Sequence, residues 1–101
     1  MLNIQEFIKT LNIILDKPAM FKIQRVEDIW IFISAEIVFN KNTVIEHWSG
    51  EFSKFVFNEV NSALAGFDWS KIIRLYSGSD AHSIELFKEL YSKYIEVDKR
   101  A

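Results

Sequence analysis

Val26-Glu27-Asp28-Ile29-Trp30-Ile31-Phe32-Ile33-Ser34-Ala35-Glu36-Ile37-Val38-Phe39 is the stretch on which the fold class turns. Its centre, Ile29 to Ile33, is β-branched and aromatic, which suits a strand. Against that, Val26, Ile29, Trp30, Ile33 and Ile37 share one helical face. Glu27 and Asp28 also stand where a helix N-terminus favours negative charge. A stretch this long without a turn signal exceeds an ordinary strand. It is read as a central helix, apolar on most sides.

On the N-terminal side, Ile4, Phe7, Ile8, Leu11, Ile14 and Leu15 recur at the spacing of one helical face, over about Asn3 to Leu15. Asn3 and Glu6 have capping-box spacing, and Pro18 stops this helix because the residue before a proline avoids helical geometry. On the C-terminal side, a third helix begins near Thr43, which has capping-box spacing to Glu46, or restarts after Gly50. Phe52, Phe55, Val56, Val60, Ala63 and Leu64 form its apolar stripe, with Ser53 on the water side and Gly66 as its stop. Asp68 caps a short fourth helix carrying Trp69, Ile72, Ile73 and Tyr76 inward, and Gly78 ends it. The fifth opens at Ser79 or Asp80 and runs to about Val97, with Ile84, Phe87, Leu90, Tyr91, Tyr94 and Ile95 inside. Glu89 and Lys93 are placed to pair on its outer face. The expected fold class is all-α, a single-domain bundle of about five helices.

Composition agrees with this pattern. The 101 residues are half hydrophobic, with nine Phe, three Trp and three Tyr, enough for one modest core. Three Gly and one Pro are too few for the many turns of a sandwich or barrel. The absence of cysteine excludes a disulfide scaffold, a thiol nucleophile and cysteine-based zinc sites. The first residues lack the basic end and apolar run of a secretion signal, and no uncharged stretch is long enough to span a bilayer. A cytoplasmic setting without membrane contact is the expectation. A net charge of −2 provides no field that would attract nucleic acid.

Motifs for phosphate, dinucleotide or metal binding are missing, and no cofactor is expected. His47 and His82 are far apart in sequence, so catalysis would require His82 with Asp80 or Glu85, an arrangement more common as a solvated helix end. The most distinctive run is Arg74-Leu75-Tyr76-Ser77-Gly78-Ser79-Asp80-Ala81-His82-Ser83. Read structurally, Gly78 closes one helix and Ser79 or Asp80 caps the next. Read functionally, Arg74 offers a bidentate fork to a carboxylate or phosphate, while Asp80, His82 and Glu85 receive basic side chains. Of the tryptophans, Trp30 and Trp69 are expected in the core. Trp48, beside Gly50, is expected to be partly exposed and so available as an interface anchor. The fourth and fifth helices have the outline of a helix-turn-helix. However, the second would put two carboxylates, Asp80 and Glu85, against DNA phosphates.

Two blocks carry a resemblance. Lys17-Pro18-Ala19-Met20-Phe21 after the first helix, and Trp69-x-x-Ile72-Ile73-Arg74-Leu75-Tyr76-Ser77-Gly78-Ser79-Asp80-Ala81-His82-Ser83-Ile84-x-Leu86-Phe87, resemble small bacterial immunity proteins. These accompany contact-dependent inhibition and related polymorphic toxin systems. Relatives often carry Arg-Pro-x-Met-Tyr at the first block, where Lys17 and Phe21 lack the guanidinium and the phenol hydroxyl. The resemblance implies a non-enzymatic protein that binds a cognate toxin domain and blocks it stoichiometrically. Many such toxins are nucleases such as RNases, with basic active sites, so Glu27, Asp28, Glu46, Glu51, Asp80 and Glu85 are candidate mimics of phosphate. The candidate toxin-binding set is Glu27, Asp28, Trp48, Arg74, Ser79, Asp80, His82 and Glu85. The alternatives are a small regulatory adaptor for a housekeeping protein and a His82-dependent enzyme.

Overall fold

In the computed structural model, which describes residues 1–60 and 66–98, five α-helices appear and no strand among the described residues. They are α1 (Ile4–Asp16), α2 (Val26–Phe39), α3 (Thr43–Glu59), α4 (Trp69–Leu75) and α5 (Asp80–Asp98), with a 3-10 turn at Pro18–Phe21. The expected all-α architecture holds, and the ambiguous stretch is helical from Val26 to Phe39. Packing of one face against the core outweighs its β-leaning composition. The face is narrower than the sequence suggested. Val26, Ile29 and Ile33 are buried, whereas Ile31, Val38 and Phe39 face outward.

Helix ends follow side-chain chemistry. Asn3 and Glu6 form the expected capping box on α1, at 2.8 and 3.0 Å. The cap of α3 is Asn42 rather than Thr43: its carboxamide oxygen accepts the Ile45 N–H at 3.2 Å. α3 passes straight through Gly50 and ends at Glu59, before the expected Gly66 stop. Gly66 does adopt the left-handed conformation, φ +88°. Ala63 and Leu64, assigned to the same stripe, lie outside the described residues. Asp68 caps α4 by accepting from the Ser70 and Lys71 amides. That helix ends at Leu75, so Tyr76 falls beyond it and is exposed rather than turned inward. On the surface of α5, Glu89 and Lys93 pair at 3.7 Å as their spacing suggests.

The core is aromatic. Trp48 on α3 stacks on Phe52 and meets Phe7 of α1 and Tyr94 of α5 edge-on, at centroid distances of 5.2, 4.9 and 5.8 Å. It is fully buried, contrary to its expected partial exposure. Because α3 continues through Gly50, Trp48 keeps the inward register of Ile45 and Phe52. Phe52 also touches Trp69 and Phe87, each at 5.6 Å. Trp30 is half-buried, its ring edge-on to Trp69 at 5.4 Å.

Polar ties between helices are absorbed into this core. Ser49 and Ser53, one turn apart on α3, accept from the indole N–H and the backbone N–H of Trp69, both at 3.0 Å. Ser53, expected to face water, is therefore an anchor for the start of α4. Tyr91 donates to Asn12 Oδ1 at 2.8 Å, joining α5 to α1, and burial pushes its phenol pKa up to about 12.

Glu36 closes the far end. Its carboxylate accepts from the Leu2 backbone N–H at 2.9 Å, from the buried Asn42 carboxamide at 2.7 Å and from Asn40 at 2.8 Å. The Leu2 and Asn42 hydrogen bonds hold its pKa below the ordinary 4.5.

Two predictions follow from these ties. Ser49→Ala strands a buried indole N–H and should cost about 1–3 kcal/mol in urea unfolding. For Glu36, a carboxyl whose folded-state pKa is lowered contributes stability that is complete above its unfolded value. That contribution is lost as pH falls through the folded value. Glu36→Gln should therefore be less stable than wild type by about 1–3 kcal/mol at pH 7, with the gap closing below pH 4.5.

Candidate functional site

Three helix ends meet at one corner: the N-termini of α2 and α5 and the C-terminus of α4. The N-cap residue of α2, Arg25, makes no side-chain cap hydrogen bond. The Val26 N–H instead donates to Ser83 Oγ of α5 at 3.0 Å, and that hydroxyl donates to the Asp80 carbonyl at 2.6 Å. Ser83 is fully buried, so the two helix starts are tied together from inside.

Arg74, in the last turn of α4, spans the outside of the joint. Its Nε and Nη2 donate to the two Glu27 oxygens at 2.9 and 2.7 Å, and Nη2 also reaches Asp80 Oδ1 at 2.9 Å. The fork that the sequence offered to a partner is thus closed on Glu27 from within the chain. The guanidinium holds the Glu27 carboxyl below its ordinary pKa. The Asp80 side chain remains 58% exposed. Two carboxylates share one guanidinium, Arg25 also acts on Glu27, and Lys71 lines the adjoining cleft.

The chain between α4 and α5 is held by local bonds. Ser79 Oγ accepts the His82 N–H at 3.1 Å, the expected cap of α5. The Gly78 N–H donates to His82 Nδ1 at 2.9 Å, so the imidazole braces the turn. Next to Arg74 an open cleft of about 480 Å³ is lined by Glu27, Trp30, Phe67, Lys71 and Leu75 among others.

Of the candidate residues, the structure brings Glu27, Arg74, Ser79, Asp80 and His82 together. Asp28 follows on α2, where its carboxylate accepts from the Gln24 and Arg25 amides at 2.8 and 3.2 Å. Glu85 lies one turn along α5, exposed, with Lys88 at 3.8 Å. Trp48 stands apart in the core. Glu46 and Glu51 are on α3, where Glu51 faces Lys54 at 3.3 Å and His47 at 4.0 Å. Ser83 was missed, since no spacing rule links a serine on one helix to the first amide of another. Among the described residues, no group of three or more His, Asp or Glu is arranged to hold a metal ion, and no helix is long and apolar enough to cross a membrane.

The chain matches no protein-family model, no curated protein and no solved structure.

Replacing Arg74 by Met should raise the Glu27 midpoint toward 4.5 in an NMR titration of the carboxyl carbon. The variant should lose about 1 kcal/mol of stability at neutral pH, a modest amount because the trio is partly exposed. Glu27 contributes above its ordinary pKa and loses that contribution on acidification, so the deficit should shrink as pH falls.

Proposed function

We propose that this protein is an immunity protein of a bacterial toxin system. It acts in the cytoplasm, where it binds the cognate toxin domain and blocks its active site one to one. The observation that carries this reading is the α2–α4–α5 corner. It coincides with the longer of the two blocks resembling immunity proteins, and it displays Asp80, Ser79 and Glu85 on rigid helical supports.

Rigidity and charge both favour such a role. A contact set already fixed by Ser83, Arg74 and the Ser79 cap loses little freedom on binding. The exposed carboxylates of Asp80 and Glu85 suit a basic active site whose natural substrate is polyanionic, as in an RNase. Electrostatic attraction would speed encounter, while the apolar cleft beside Trp30 and Leu75 would receive an anchoring side chain. Glu27 is neutralised by Arg74 and acts chiefly to position it. Asp80 and Glu85 are the principal contact carboxylates.

Mixing the purified protein with the toxic domain encoded beside it should give a 1:1 complex and abolish toxicity. Glu85→Lys and Asp80→Asn should each weaken that complex at least tenfold by calorimetry, with circular dichroism unchanged. No complex at micromolar concentrations would refute the reading.

A further inference from the structure

We infer that the outer ridge of α2 pairs with the same ridge of a second copy of this chain, antiparallel, about a two-fold axis near Ser34 and Ala35. The ridge is formed by Ile31, Ala35 and Val38, at i, i+4 and i+7, the spacing of a helix–helix seam. Ile31 and Val38 are 63% and 67% exposed, and Phe39 beside them is 83% exposed. A helix apolar on both faces is ordinarily covered on both. Here only one face is covered within the chain, and contiguous exposed apolar surface of this kind marks an interface.

The pattern along α2 selects the occupant. A two-fold antiparallel pairing brings each residue opposite a different one, and the match must be self-complementary. With the axis between residues 34 and 35, Ile31 faces Val38 of the partner copy and Val38 faces its Ile31. The small residues Ser34 and Ala35 meet at the crossing and let the backbones approach. Asp28, at the N-terminal end, comes opposite Lys41, exposed just beyond the C-terminal end. Apolar side chains, small residues and opposite charges thus all fall into register about one centre. A parallel pairing would set Asp28 against Asp28 and Lys41 against Lys41. The antiparallel arrangement also opposes the two helix dipoles.

One 14-residue helix offers only a small interface, so association should be concentration-dependent. The ridge lies on α2 away from Asp80 and Glu85, so the pairing does not depend on toxin binding and is tested without a toxin. In sedimentation equilibrium from about 10 to 500 µM the isolated protein should pass from monomer to dimer. Ile31→Glu and Val38→Glu should remain monomeric with unchanged helicity. Val97→Glu, at an exposed apolar position on α5, should dimerise as wild type.

The absence of cysteine makes the register directly readable. Ala35→Cys should oxidise to a disulfide-linked dimer, because the two copies of that position are offset by about one residue rise. Lys41→Cys should not, its two copies lying beyond opposite ends of the paired helices. A monomer throughout the concentration range, a dimer indifferent to Ile31→Glu, or cross-linking of Lys41→Cys equal to that of Ala35→Cys would each overturn the inference.

Discussion

Trp69 is the residue on which the arrangement of this molecule depends. Its ring fills the space between Phe52 and Phe87, its indole N–H is accepted by Ser49, and its backbone amide by Ser53. α4 has only seven residues, too few to be stable as an isolated helix. It exists because its first residue is clamped to α3 at three points. Once the clamp sets the axis of α4, Arg74 arrives beside Glu27 and Asp80, and the corner of three helix ends follows.

Stabilisation of this kind is divided unequally between apolar and polar contacts. The aromatic cluster of Trp48, Phe52, Trp69, Phe87 and Tyr94 supplies area, and area is non-directional. Direction comes from single hydrogen bonds at helix ends: Ser83 at the start of α2, Asn42 at the start of α3, Asp68 at the start of α4 and Ser79 at the start of α5. Each satisfies an amide that a helix leaves without a partner. Two of these four caps have a second function: Asn42 also donates to Glu36, and Ser83 receives its bond from another helix. α2 and α3 are therefore placed against their neighbours by the same side chains that cap them.

Legibility in the sequence followed this division. Asn3, Asp68 and Ser79 were readable because a cap and the amide it serves are neighbours in the chain. The ties of Ser49 and Ser53 to Trp69, of Ser83 to Val26 and of Glu36 to Leu2 were not, because those partners lie 16 or more residues away. Trp48 was misjudged because Gly50 looked like a break, whereas flanking helix on both sides carries a single glycine at a cost of about 1 kcal/mol. In the corner, the residue types were legible and their pairing was not. Arg74, Glu27 and Asp80 were each marked as groups that bind ions, but only the approach of α4 to α2 showed that they bind one another.

By itself the sequence determined the helical character of the chain, the five amphipathic segments and most of their inward faces. Those properties come from spacing along one segment, and periodicity is local. Only the tertiary structure decided that α2 has one buried side and one bare one, that Trp48 is central, and that the carboxylates of α2 and α5 converge on a single guanidinium. Burial and ion pairing depend on which surfaces meet, and residues 47 positions apart, such as Glu27 and Arg74, meet only after the core has packed.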